Sequence, residues 1–213
     1  MGNALRDHLG LNRHRPVLLN QVHGNRIVAV QGARDRARIR QADGAATPLP
    51  RTLLTIRTAD CLPILAIDPG KGVLGAAHAG WRGISLRIPT QLVRILVSRF
   101  DCRPSDILIG LGPAIKACCY RVGEDVRKVF VSRGTPSDSS IFFPGPDGQL
   151  RLDLKSAAIR QLRDAGVPPG NLASVDLCTA CRSDLLFSRR REGPGPDRMH
   201  AFITREETRL PLV

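Results

Sequence analysis

Two apolar runs, residues 62–67 and 72–77, flank Asp68, Pro69 and Gly70, and this pairing constrains the fold more than any other stretch of the chain. Each run has the length of a strand. Proline presets the backbone of a turn and glycine frees it, so the two runs are expected to form a hairpin. Further strand-like runs are residues 17–19, 26–30, 53–57, 106–111, 172–177 and 199–203. Helical periodicity is expected over residues 85–100, where Leu86, Leu92, Val93, Leu96 and Val97 fall largely on one face and Pro89 kinks or restarts the helix. Residues 123–132 read as a second helix. Residues 153–165 read as a third, stopped by Gly166 and Pro168. Strands cluster before the first helix and then alternate with helices, which favours an α+β layered domain over a doubly wound nucleotide-binding fold. The Gly-Lys-Ser/Thr phosphate loop does not occur.

A chain of 213 residues with 42% hydrophobic content can bury one substantial core, so residues 1–213 are expected to form a single domain. The apolar runs are far shorter than the roughly 20 residues needed to cross a bilayer. Residues 1–15 carry Arg6, Asp7, His8, Arg13, His14 and Arg15 and lack the apolar middle of a secretory signal, so a cytoplasmic location is expected. Six cysteines in a chain of this size and apolarity read as reduced thiols rather than a disulfide framework. The net charge of +13 raises the reading of a basic nucleic-acid-binding module. Against it, the only lysines are Lys71, Lys116, Lys128 and Lys155, and the arginines are spread from Arg6 to Arg209. Only Arg189, Arg190 and Arg191 form a run, away from nearly all the aromatic residues.

Three segments place a metal-binding residue beside glycine or at a strand end: Gln21-Val22-His23-Gly24, Thr58-Ala59-Asp60-Cys61-Leu62-Pro63, and Ala76-Ala77-His78-Ala79-Gly80-Trp81-Arg82-Gly83. Singly, each reads as readily as a satisfied structural histidine or a small buried cysteine. Together, one cysteine and two histidines make a sound zinc ligand set that leaves a fourth position open for water or substrate. That chemistry requires Cys61 as thiolate and both imidazoles neutral. A cysteine hydrolase pairing Cys61 with His78 is the metal-free alternative. Cys178-x-x-Cys181 has no second pair of suitable spacing and reads as incidental. Adjacent Cys118 and Cys119 read as packing residues.

In these segments the chain resembles the laccase-domain proteins, first described as polyphenol oxidases and also called the YfiH family. The resemblance runs over residues 20–203. It takes in Ala42-Asp43-Gly44-Ala45, the stretch from Gly112 through Cys118-Cys119-Tyr120 to Gly123, Leu152-Asp153-Leu154, and Phe187-Ser188-Arg189-Arg190-Arg191. It implies a metal held by His23, Cys61 and His78, with zinc as the cofactor and copper, as in a copper-dependent polyphenol oxidase, as the weaker alternative. Several coppers would need more histidine ligands than five histidines supply. It also implies a four-layer α-β-β-α sandwich with mixed sheets, and phosphorolysis of adenosine, inosine, guanosine or methylthioadenosine, with deamination of adenosine as a further activity. The partners are then a purine nucleoside and phosphate, with no membrane.

Phosphorolysis needs a cationic seat for phosphate, and bidentate guanidinium suits it; Arg82, Arg189 and Arg190 are the candidates. For deamination, Asp60 is the candidate proton carrier, with a ligand-orienting hydrogen bond as its other reading. Gln21 is expected to orient substrate or to cap a strand. Family members usually begin with a further strand and a glycine-rich turn, so the domain is expected to be N-terminally shortened. Lys116 stands where the family has Gly, and Arg121 where Glu is common.

Overall fold

The computed structural model describes residues 7–32, 41–195 and 197–207. Residues 1–6, part of the stretch read for a signal, lie outside this set. In chain order the strands are β1 (Arg15–Val17), β2 (Ile27–Ala29), β3 (Gly44–Thr47), β4 (Thr52–Thr58), β5 (Leu62–Asp68), β6 (Val73–Ala79), β7 (Leu108–Leu111), β8 (Phe142–Pro144), β9 (Leu150–Leu152), β10 (Leu172–Ser174) and β11 (Met199–Ile203). The helices are α1 (Trp81–Ser85), α2 (Ile88–Phe100), α3 (Glu124–Ser132), α4 (Leu154–Asp164) and α5 (Arg189–Glu192).

The expected hairpin is β5 and β6, at the centre of a mixed six-stranded sheet of order β10-β7-β5-β6-β3-β2. Its turn is longer than the three residues expected. Asp68 pairs with Val73, its Oδ1 accepts the Lys71 N–H at 3.0 Å, and Gly72 takes a left-handed φ of 61°, so Gly72 belongs to the turn. In compensation β6 runs on through His78, which carries that histidine to the end of the central strand. A second mixed sheet, β1-β4-β11, packs on one face of the first, and α2 packs on the other against β6, β3 and β2. Every residue of β6 is therefore buried, as a strand covered on both faces requires. The fold is α+β with mixed sheets, and the described residues build a helix layer and two sheet layers in that order.

Small side chains let these layers approach. In β6, a Cβ on Gly75 would lie 2.9 Å from Leu92 Cδ1 of α2. At the β3–β6 contact, a Cβ on Gly44 would lie 2.4 Å from Ile27 Cδ1 and 2.6 Å from the Ala76 carbonyl oxygen. The isoleucine tip can turn aside, but the carbonyl belongs to the sheet. Gly44→Ala is therefore expected to cost about 1–3 kcal/mol, read as a lower denaturation midpoint at unchanged slope. An unchanged midpoint would show that β3 and β6 can separate freely.

The helix expected over residues 85–100 begins only at Ile88, and a separate short helix, α1, ends at Ser85. Arg87 adopts a left-handed φ of 61° between α1 and α2, and Pro89 falls in the first turn of α2, where a missing N–H leaves no bond unmade. Proline starts this helix rather than kinking it. Asp153, expected inside the third helix, instead caps α4 by accepting the N–H groups of Lys155 and Ser156. The run 172–177 is strand only to Ser174, and 106–111 only from Leu108, because Pro104–Asp106 winds into a 3₁₀ turn.

Candidate metal centre

His78 and Cys61 are brought together by strand register. Leu62 pairs with Ala79 and Pro63 with His78, so Cys61, one residue before β5, stands beside the end of β6. His23 comes from the loop between β1 and β2 and holds a left-handed φ of 60°. The donor atoms of His23, Cys61 and His78 all lie within 4.8 Å of one another. The two imidazoles meet edge to face, 4.8 Å between centroids at 78°. Gly80 completes the cradle: a Cβ there would lie 2.9 Å from Cys61 Sγ and 3.3 Å from His23 Cδ2. Two nitrogens and a sulfur at this spacing, with glycine kept bare beside them, fit a tetrahedral zinc with one position free.

Gly80 has an ordinary extended backbone, φ −80° and ψ 173°, which alanine also adopts. Gly80→Ala is therefore expected to fold and to bind zinc less well at this cluster, because the new methyl displaces the sulfur and a candidate ligand ring. Elemental analysis of the purified variant measures this, and full zinc content would show that the cradle can yield.

Asp43, fully buried, organises the site. Its Oδ1 accepts the His23 N–H at 2.9 Å and sits 2.9 Å from His78 Nδ1; its Oδ2 accepts the N–H groups of Gly24 at 2.7 Å and Val22 at 3.2 Å. Burial alone would raise its pKa, but the bond to His78 and those to Gly24 and Val22 outweigh it and hold the carboxyl below the usual range. The aspartate thereby offsets the left-handed backbone at His23. It also fixes the proton of His78 on Nδ1, leaving Nε2 for the cluster. Burial pushes the Cys61 thiol up, yet hydrogen bonds from His23 and His78 bring it down to about 7. Burial pushes His78 down, yet Asp43 and Cys61 raise it to about 9. Both shifts favour a thiolate beside a protonated imidazole in the metal-free protein.

Asp43 stands in a matching segment of its own, residues 42–45, and its role appears only when four donors from two other segments converge on it.

Asp60 is turned away from the cluster's chemistry. Its φ is 99°, its Oδ1 accepts the Thr179 hydroxyl at 2.6 Å, and its Oδ2 accepts the Arg190 N–H at 2.7 Å. Both oxygens serve to tie the Cys61 loop to two others, the orienting reading rather than proton transfer. Gln21 uses its whole amide on one residue, donating to the Arg57 carbonyl at 2.8 Å and accepting the Arg57 N–H at 2.9 Å. It extends the end of β4 and sets Arg57 in place.

The cluster opens into a cavity of about 350 Å³ lined by Gln21, Thr58 and Ala59, by His23, Cys61 and His78, and by Arg57, Arg189 and Arg198. No carboxylate is in that lining. Of the three candidate arginines, Arg189 lines this cavity and Arg82 and Arg190 do not. Arg82 stacks on the Trp81 ring at 4.6 Å, and Arg190 bonds the carbonyls of Arg121 and Cys119 while lying over Tyr120 at 5.2 Å. Arg57 and Arg198 take their place in the lining, and nothing in the sequence distinguishes these two from other strand-end arginines. A wider cleft of about 710 Å³ along α4 has no histidine or cysteine in its lining. The two departures from the family pattern are absorbed in ion pairs, Lys116 with Asp176 at 2.6 Å and Arg121 with Asp147 at 3.0 Å.

A family model described as multi-copper polyphenol oxidoreductase laccase matches residues 2–206. The purine nucleoside phosphorylase YlmD of Geobacillus stearothermophilus is 38% identical over 210 residues, 95% of this chain and 77% of that protein. The purine nucleoside phosphorylase YfiH of Escherichia coli is 33% identical over 207 residues, 92% of this chain and 81% of that protein. Among solved structures, a Bacillus licheniformis hypothetical protein YfiH superposes with a TM-score of 0.89 at 33% identity, covering 95% of this chain and 79% of that one.

Proposed function

The chain belongs to the multi-copper polyphenol oxidoreductase laccase family, and from that premise we propose that it is a zinc-dependent purine nucleoside phosphorylase. The single observation that carries the reading is the opening of the His23–Cys61–His78 cluster into a cavity bearing three arginines and no carboxylate. Relatives named purine nucleoside phosphorylases support it. Such a cavity has the size of a small-molecule site and the charge to hold an inorganic anion.

His23, Cys61 and His78 would hold the zinc, which when bound supplies Lewis-acid polarisation. Arg57, Arg189 and Arg198 bind phosphate and offset the negative charge it brings beside the sugar, in bidentate geometry that a lysine could not match. Gln21 orients the phosphate seat through the Arg57 backbone. Asp43 keeps one proton on His78 Nδ1, so that the opposite nitrogen remains a ligand. Phosphorolysis moves the sugar from the purine nitrogen to a phosphate oxygen, and the fixed charges of this cavity stabilise the departure without rearranging.

The copper oxidase reading is weaker, because among the described residues only two of the five histidines enter the cluster. Adenosine deamination would need a proton carrier other than Asp60, whose oxygens are both engaged. Incubation of zinc-loaded protein with inosine and with adenosine, each with and without phosphate, tests the proposal. Free hypoxanthine and adenine should appear only with phosphate. Conversion of adenosine to inosine would report deamination, and no product from any purine nucleoside would overturn the reading.

A further inference from the structure

Apart from the centre already described, the described residues gather a second donor cluster. The sulfurs of Cys118, Cys119, Cys178 and Cys181 all lie within 4.8 Å of one another. Cys181 Sγ stands 3.4 Å from Cys119 Sγ and 3.7 Å from Cys118 Sγ. A tetrahedral zinc with Zn–S bonds of about 2.3 Å sets its sulfurs about 3.8 Å apart, whereas a disulfide needs about 2 Å. These two separations stand near the first spacing and well beyond the second, and all four cysteines are free thiols.

The backbone around Cys178 is arranged for a thiolate. The Lys116 N–H donates to Cys178 Sγ at 3.4 Å, and the N–H groups of Ala180 and Cys181 also bond that sulfur. Three arginines pin the surrounding carbonyls: Arg151 takes Cys118 at 3.0 Å, Arg190 takes Cys119 at 3.4 Å, and Arg191 takes Thr179 at 2.9 Å and Ala180 at 3.1 Å. With the carbonyls occupied, the side chains are left facing each other. The same guanidinium groups would offset the double negative charge of four thiolates around one divalent ion.

We infer that Cys118, Cys119, Cys178 and Cys181 form a closed four-thiolate zinc site, distinct from the His23–Cys61–His78 centre and structural in role. Four sulfur ligands leave no position for substrate, and a tetrahedral all-sulfur set suits zinc. On binding, the thiols release their protons to solvent and four sulfur–zinc bonds form, with no change of oxidation state. The site joins the turn after β7 to the loop before α5. That loop supplies Thr179, and α5 supplies Arg190, the two partners that hold Asp60 beside Cys61. The clamp thus braces the catalytic loop from behind, and it does not depend on which reaction the first centre performs.

The test is a titration of reduced, metal-free full-length protein with cobalt(II) and then zinc, with zinc stoichiometry from elemental analysis. The wild type should bind two metals per chain, and cobalt should give the intense sulfur-to-metal charge-transfer and tetrahedral ligand-field bands of a four-thiolate site. Those bands should persist in Cys61→Ser and vanish in Cys178→Ser/Cys181→Ser, which should retain one zinc. The wild-type spectrum gives the answer even if the double variant fails to fold. One zinc per chain with no four-thiolate spectrum would overturn the inference. So would a Cys119–Cys181 disulfide that persists in zinc-saturated protein.

Discussion

His78→Ala should abolish phosphate-dependent release of base and strip the first zinc from the protein. The reason is geometric. His78 closes the central strand, its Nδ1 is held by Asp43 at 2.9 Å, and its remaining nitrogen is one of only three donors in the cluster. A metal that stabilises developing charge by several kcal/mol accounts for a rate loss on the order of 10³-fold when it is removed. The side chain is almost fully buried, so some loss of stability accompanies the substitution. Circular dichroism separates the two effects: a folded, zinc-poor, inactive variant is the expected result. A folded variant that keeps both its zinc and its rate would remove His78 from the centre.

Asp43→Asn should weaken zinc binding roughly 10–100-fold, although Asp43 touches no metal in the proposed centre. Its two oxygens together meet three backbone N–H groups and His78 Nδ1. Asparagine offers one oxygen, and its NH₂ must face two donors, Val22 and Gly24 or His23 and His78. In either orientation the loop carrying His23 or the tautomer of His78 is lost. Leaving a buried donor unsatisfied costs about 1–3 kcal/mol, so the variant should also unfold at lower denaturant. Asp43→Ala, which orphans all the donors, should be worse on both counts. Zinc affinity measured by competition with a chelator decides the matter, and an affinity equal to wild type would reduce Asp43 to a packing residue.

The elements most legible in the sequence are those whose side chains announce a buried strand. The 62–67 run is rich in branched residues, the uncharged 72–77 run follows it across a Pro-Gly turn, and the run 199–203 carries Phe202 and Ile203; they appear as β5, β6 and β11. β3 was not foreseen because Gly44, Ala45 and Ala46 have no strand propensity of their own. At Gly44 a Cβ would meet the Ala76 carbonyl of the neighbouring strand β6, a demand that exists only once the sheet is assembled. Pro89 shows a similar limit, since proline breaks a helix in its middle and starts one at its end, and local sequence did not distinguish the two.

At the site, His23, Cys61 and His78 could be named because each sits in a distinctive motif, and the structure places their donors together. The arginines divided differently. Arg189, Arg190 and Arg191 are adjacent, yet the short helix α5 sends them to different tasks: Arg189 to the cavity, Arg190 to Tyr120 and two carbonyls, Arg191 to the carbonyls of Thr179 and Ala180. The four-cysteine cluster was invisible as a unit because its halves, an adjacent pair and a Cys-x-x-Cys, lie about sixty residues apart. The pairing of β7 with β10 and the parallel bridge between Ala114 and Cys178 bring them into one place.

The most direct measurement is the rate of hypoxanthine release from inosine, followed against zinc occupancy of the His23–Cys61–His78 centre at fixed phosphate. The rate should rise in proportion to that occupancy and fall to background when phosphate is omitted. A rate equal in metal-free and zinc-loaded protein, or zinc-loaded protein that leaves every purine nucleoside intact, would contradict it.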